Sequence, residues 1–189
     1  MKSTTAIYDL LEDEYDSRMM HRIPAAKSVT RHEYIREACK DKAVLDIGGS
    51  GPLAEIIKQV AKSYRNVDKN NADFCVDLDK ERVPVVEGIE LVVCGEVVEH
   101  LSNPGFFLDG LSEYKVPVIF TVPNSFTKIG TRWINKGIEN VNQDHVAYYS
   151  YYTFSNLLRR HGFKTDAFLW YNGSPGTAEG LIFLAHSEG

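Results

Sequence analysis

The run Ala43-Val44-Leu45-Asp46-Ile47 is nearly all apolar, stops at Gly48-Gly49-Ser50-Gly51, and gives way to Leu53, Ile56, Ile57 and Val60 at helical spacing. A strand that turns into a helix through closely spaced glycines leaves little choice of fold, because the strand must sit in a sheet and the helix must pack back across it. The rest of the chain keeps that alternation. Residues 5–22 carry Ile7, Leu10, Leu11 and Tyr15 at helical intervals, Pro24 interrupts, and a second helix runs through Ile35 and Ala38. Strands are predicted at Tyr64 to Val67, ending at Asp68, from near Asp73 to Asp77, at Ile89 to Cys94, and at Val116 to Val122 before Pro123-Asn124. A helix is expected to leave from about Glu96, residues 125–147 read as irregular, and a further helix spans Thr153 to His161 and ends at Gly162. Phe168 to Tyr171 and Leu181 to Ala185 then form a hairpin across Asn172-Gly173-Ser174-Pro175-Gly176. The pattern predicts a Rossmann-like, doubly wound, mostly parallel sheet of the seven-stranded type with a C-terminal antiparallel hairpin, in an α/β/α sandwich. One connection departs from it. The stretch between Asp68 and Asp73 is too short for a crossover helix, so that part of the sheet is either trimmed or not directly paired.

A chain of 189 residues suits one domain of this kind. Residues 1–40 are expected to be N-terminal helices, with Tyr8, Tyr15 and Arg18 either a lid or a plain cover for the sheet. Residues 43–123 are expected to be a cofactor-binding half and 124–189 an acceptor-side half. The net charge is −5 and Lys and Arg form no run, so nucleic acid is not an expected partner. Cys39, Cys75 and Cys94 are far apart, odd in number and without metal-ligand spacing, which fits a reducing compartment. The N-terminus has no apolar signal region and no long apolar run follows, so a cytoplasmic protein with no membrane partner is expected.

The glycine loop admits two ligands. Gly49-Ser50-Gly51-Pro52-Leu53-Ala54 satisfies the G-x-G-x-x-G/A dinucleotide pattern, and Asp68 lies near the distance expected for its ribose acid, which would make the chain an NAD-dependent oxidoreductase. Charge argues otherwise. Pro52 removes a backbone donor that a pyrophosphate would use, and the Asp46 carboxylate repels phosphate but suits a ligand carrying an ammonium and a sulfonium. The ordered segments Val44-Leu45-Asp46-Ile47-Gly48, Asp68, Asp73-Phe74-Cys75-Val76-Asp77-Leu78 and Leu91 through Glu96-Val97-Val98-Glu99-His100-Leu101 resemble class I S-adenosylmethionine-dependent methyltransferases. With Gln143-Asp144-His145, Tyr149-Ser150 and Leu157 to Phe163, the likeness covers residues 43–185 and is nearest in flavour to the ubiquinone-biosynthesis O-methyltransferase-like group.

That resemblance implies a cofactor set of Asp46, Gly48, Gly49, Ser50, Gly51, Asp68, Lys69, Asp77, Leu78, Cys94, Gly95 and Glu96. Gly48 and its neighbours would pass under the methionyl part of S-adenosylmethionine, with Asp46 orienting the loop. Asp68 would accept from the ribose hydroxyls, Asp77 and Leu78 would border the adenine, and Cys94 and Gly95 would lie beside the sulfonium. S-adenosylhomocysteine would be the product. The family usually has glycine where this chain has Ser50 and Pro52.

Methyl transfer from a sulfonium is an in-line displacement that needs no covalent intermediate, although a hydroxyl acceptor must lose its proton to a base or near a metal. His145 is the leading candidate base and His100 its companion, since imidazole titrates near neutral pH. On a helix, Glu96, Glu99 and His100 fall at i, i+3 and i+4 on one face. With His145 they resemble the divalent-metal site of small-RNA ribose methyltransferases. Equally, the two acids favour a helix N-terminus and His100 packs as a structural residue, and no metal ligand is assigned. Trp133, Tyr148, Tyr149, Tyr151 and Tyr152 either line a pocket for a small-molecule acceptor or pack the sheet. The function expected is O-methylation of a small molecule or sugar. The alternatives are a non-catalytic protein binding S-adenosylmethionine and, further off, the oxidoreductase.

Overall fold

The computed structural model describes residues 23–188. The helix expected over residues 5–22, and with it the lid role of Tyr8, Tyr15 and Arg18, lies outside the described residues.

The glycine-bounded unit forms as expected. Strand β2 (Ala43–Ile47) is buried along its whole length, and helix α2 (Gly51–Val60) follows with Pro52 in its first turn. Helix α1 (Arg31–Cys39) precedes it, after a two-residue strand β1 (Ser28–Val29). Strands β3 (Ser63–Asp68), β4 (Phe74–Cys75), β5 (Leu91–Gly95) and β6 (Val118–Pro123) come next, with helix α3 (Pro104–Leu111) between the last two. Helix α4 (Lys128–Ile134) lies inside the stretch expected to be irregular. Helix α5 (Tyr151–Arg160) starts on a capping box between Ser150 and Thr153, then strands β7 (Phe163–Tyr171) and β8 (Gly180–Ser187) follow.

These strands form one eight-stranded sheet in the order β1-β7-β8-β6-β5-β2-β3-β4. Every pairing is parallel except β6 with β8 and β7 with β8. Because side chains alternate along a strand, the sheet sorts its apolar residues into two cores. Val44, Leu91, Val93, Ile119 and Ile182 meet Ile35 and Cys39 of α1 and Ile57 of α2 on one face. Leu45, Val92, Phe120 and Phe183 meet Phe107 and Leu111 of α3 and Phe154 and Leu158 of α5 on the other. Among the described residues no helix is long and apolar enough to cross a membrane.

One open alternative is decided and two features differ from the sequence reading. β3 and β4 do pair in parallel, Val67 with Phe74 and Asp68 with Cys75, across residues 69–73 alone. Asn66 and Asp73 exchange side-chain and backbone hydrogen bonds at 3.0 Å, and this clamp takes the place of a crossover helix. No α-helix leaves from Glu96. Glu96 has φ of +59°, which breaks any helix, and a single 3-10 turn Val98–His100 follows. β7 begins at Phe163, five residues before the expected start, because a register shift between Thr165 and Ala167 hides its alternation.

Candidate active site

The ends of β2, β3 and β5 converge where the connections change face: α2 packs on one side of the sheet and α3 on the other. Such a switch point leaves a crevice beyond the strand ends. Here it is a cleft of about 520 Å³ with Gly48, Asp68, Lys69, Leu78, Glu96 and His100 in its walls.

The loop at its floor requires glycine at two positions. Gly48 has φ of +70° and Gly51 of +68°, both in the region that side chains disfavour. A Cβ on Gly48 would collide with Val97 Cγ2, whereas one on Gly51 would meet nothing. Gly49 is confined differently, since a Cβ there would sit 2.6 Å from both Asp46 Oδ2 and the Tyr64 hydroxyl. Ser50, by contrast, is extended at φ −143° and Pro52 occupies the first helical turn, so both departures from the usual glycines fall where the backbone accepts them. Gly48→Ala is therefore expected to lower stability by about 2 kcal/mol or more, with Gly51→Ala losing only the backbone part. Equal losses in denaturant unfolding would mean that the Val97 contact plays no role.

Asp46 lies beneath the loop rather than in the cleft wall. It is 3% exposed, accepts a 2.9 Å hydrogen bond from the Tyr64 hydroxyl, and is pushed up to about 6 by burial against the opposing pull of that bond. Asp77 borders the cleft, but its carboxylate already holds Lys80 at 2.9 Å and Lys69 at 3.3 Å, and the Lys80 contact pulls its pKa down. The Cys94 side chain is fully buried in the core, so only its backbone is available at the strand end.

Sequence reasoning missed Arg31, the first residue of α1. Its guanidinium Nη2 lies 2.9 Å from where a Gly95 Cβ would be, and its charge sits 5.6 Å over the Tyr171 ring. Its Nε is buried with no hydrogen-bond partner. Nothing in the local sequence marks it, because the fold alone carries α1 to the end of β5.

The expected carboxylate face is rearranged. Glu96 turns toward the sheet, where Oε1 accepts from Thr121 Oγ1 at 3.1 Å and from the Tyr171 hydroxyl at 2.9 Å. Glu99 instead lies under the 3-10 turn at 1% exposure, and neither of its carboxylate oxygens has a hydrogen-bond partner. Burial, reinforced by the charge of Glu96, pushes it up to about 8. The Glu99 carbonyl accepts from the Val146 and Ala147 amides at 2.8 and 3.2 Å, which draws His145 onto the turn. The His145 ring meets His100 edge-on with centroids 4.6 Å apart, and His100 Nδ1 is 3.2 Å from the Asp144 carbonyl. Ligand atoms of Glu99, His100 and His145 all lie within 4.8 Å of one another. Burial and the neighbouring His100 lower the His145 pKa, favouring its neutral form.

His145 also belongs to the wall of a second cavity, of about 480 Å³, together with Phe126, Ile129, Ile134, Tyr148 and Tyr149. The two histidines thus join cleft and cavity. Of the other expected aromatics, Tyr151 packs against Phe168 and Phe183 in the core and Trp133 carries Lys136 over its ring.

A mostly parallel sheet with a cleft at its switch point, floored by a glycine turn, defines a Rossmann-like domain. The chain belongs to the methyltransferase domain family, whose model matches residues 18–167. No curated protein matches it. Its fold resembles a S-adenosylmethionine-dependent methyltransferase from Clostridium acetobutylicum ATCC 824, with a TM-score of 0.62 at 11% identity over 98% of both chains. It also resembles the N-methyltransferase NodS from Bradyrhizobium japonicum WM9 in complex with S-adenosyl-L-homocysteine, with a TM-score of 0.58 at 14% identity over 84% of this chain and 86% of that one. The small RNA methyltransferase HEN1 gives a TM-score of 0.61 at 20% identity over 90% of this chain. The match spans only 27% of HEN1.

Proposed function

We propose that this protein transfers the methyl group of S-adenosylmethionine to a hydroxyl of a small-molecule acceptor. The observation that carries the reading is the His100–His145 contact over Glu99, where the cleft meets the second cavity. When bound, S-adenosylmethionine supplies an electrophilic methyl on a sulfonium. Gly48 lets the loop backbone approach the methionyl part, Asp68 accepts from the ribose hydroxyls, and Leu78 borders the adenine. The Arg31 guanidinium is the cation for the carboxylate. The cavity beyond His145 would hold the acceptor, and neutral His145 would take the proton of the hydroxyl whose oxygen bonds to the methyl. Ser50 is extended and Pro52 opens α2, so the backbone of the loop accepts both residues that replace the family's usual glycines, which supports a working cofactor loop. Calorimetry with S-adenosylmethionine and S-adenosylhomocysteine tests this directly, and absence of binding by both would sink it.

A specific observation favours a divalent cation as well. A buried carboxylate with two unpartnered oxygens beside two imidazoles is a donor set that a cation would satisfy, so Glu99, His100 and His145 fit as its ligands. Such an ion would acidify the acceptor hydroxyl in place of His145 acting as base, because a coordinated neutral imidazole has no lone pair left for the proton. Mg²⁺, Mn²⁺ or Zn²⁺ should then raise the unfolding midpoint, and a chelator should reverse the rise. A midpoint indifferent to all three would remove the ion and leave His145 as the base.

A further inference from the structure

Helix α4 buries none of its residues. It is held at its start by the Thr127 cap on Gly130 and by the Lys128 amide bonded to the Gly176 carbonyl at 2.9 Å, not by a core of its own. Seven of the nine large apolar side chains that the described residues leave exposed lie between 126 and 148, and five of them crowd into 126–138. Phe126 is 69% exposed, Ile134 62%, Ile129 58% and Ile138 48%. Trp133 is the fifth. Lys128, Arg132 and Lys136 are interleaved with them, and no acidic residue occurs from 126 to 138, in a chain whose net charge is −5.

A cluster of this size on water is a docking surface rather than scattered apolar residues. Ile129 and Trp133 are spaced by four residues, as are Lys128 and Arg132, so the helix carries an apolar stripe beside a cationic one. We propose that residues 126–138 dock on an anionic lipid surface. Apolar side chains including a tryptophan enter the boundary of the acyl region, while lysine and arginine reach back to the headgroups, which is how interfacial helices divide their faces.

Two other occupants fit less well. Three of the five apolar residues are isoleucines, which offer no ring for a base to stack on, and this disfavours RNA. A two-fold contact between copies would set the three cations of one patch against those of the other. Charge complementarity therefore selects the anionic bilayer. Phe126, Ile129 and Ile134 also line the 480 Å³ cavity, so docking places the mouth of that cavity at the lipid interface.

The test is flotation of the full chain with phosphatidylcholine vesicles, with and without phosphatidylglycerol. Binding is expected to strengthen by about tenfold or more with the anionic lipid and to weaken as salt rises. A Lys128→Gln, Arg132→Gln, Lys136→Gln variant should lose the preference for phosphatidylglycerol, and Trp133→Ser with Ile138→Ser should lose binding to both vesicles at an unchanged unfolding midpoint. Failure of the wild type to float with phosphatidylglycerol would overturn the proposal. So would equal binding to both vesicles, dimerisation that the serine variant abolishes, or tighter binding to single-stranded RNA than to vesicles. None of these readouts depends on methyl transfer, so their failure is separable from failure of the activity proposed above.

Discussion

Replacing Glu99 by glutamine is expected to make the ligand-free protein more stable. Glu99 is buried with both carboxylate oxygens unpartnered, an arrangement that folding disfavours. Its carboxyl, ordinarily near 4.5, is pushed up to about 8 in the fold. Between those values the unfolded chain has released the proton and the folded chain keeps it, so the wild type loses stability as pH rises from about 4.5 to 8. Glutamine inherits the unpartnered polar atoms but does not titrate. At neutral pH the gain is expected to reach about 3 kcal/mol, or roughly 5–10 °C in midpoint, and to vanish below the carboxyl's ordinary value. The same substitution should abolish any rise in midpoint caused by a divalent cation. A group kept at a cost to stability is usually kept for function. If the variant is less stable at neutral pH, or responds to cations as the wild type does, Glu99 serves the fold instead.

Asp68→Ala is expected to weaken S-adenosylhomocysteine by about 1.5–3 kcal/mol, the range for a hydrogen bond to a charged group. Asp68 stands at the end of β3 in the wall of the cleft, and its Oδ1 accepts a local bond from the Lys69 amide at 2.6 Å, which orients the carboxylate. Calorimetry reads the change, and unaltered affinity would move the ribose contact to another acid. The same titration reads Arg31. If Arg31 holds the methionyl carboxylate as proposed, its removal should cost a comparable amount, whereas a structural arginine stacked on Tyr171 would lower the midpoint and leave affinity alone.

The sheet was legible because its strands are apolar and its glycines sit at turns. Gly48 could be read from sequence because it ends an apolar strand at a glycine-rich turn, and in the fold a Cβ there would collide with Val97. The family's usual glycines at the positions of Ser50 and Pro52 are absent here, and the dihedral angles place the demand for glycine at Gly48 and Gly51 instead. The helical reading of Glu96 to His100 failed on one backbone angle, which no side-chain spacing encodes. Even so, Glu99, His100 and His145 come together, through amide bonds from residues 146 and 147 to the Glu99 carbonyl. Arg31 and the clamp between Asn66 and Asp73 were invisible for a common reason. Each depends on where the completed fold brings two segments together.

The sheet ends on both sides in strands only two residues long, Ser28–Val29 and Phe74–Cys75. Its interior strands are apolar enough to recruit a foreign strand if their edges were bare. These borders cover only Trp170 and Tyr171 of β7 and Val67 and Asp68 of β3, and along the uncovered remainder Lys164, Asp166 and Arg65 set charge against an intruding strand. The domain is thereby guarded against edge-to-edge aggregation by charge on its open edges rather than by strand cover.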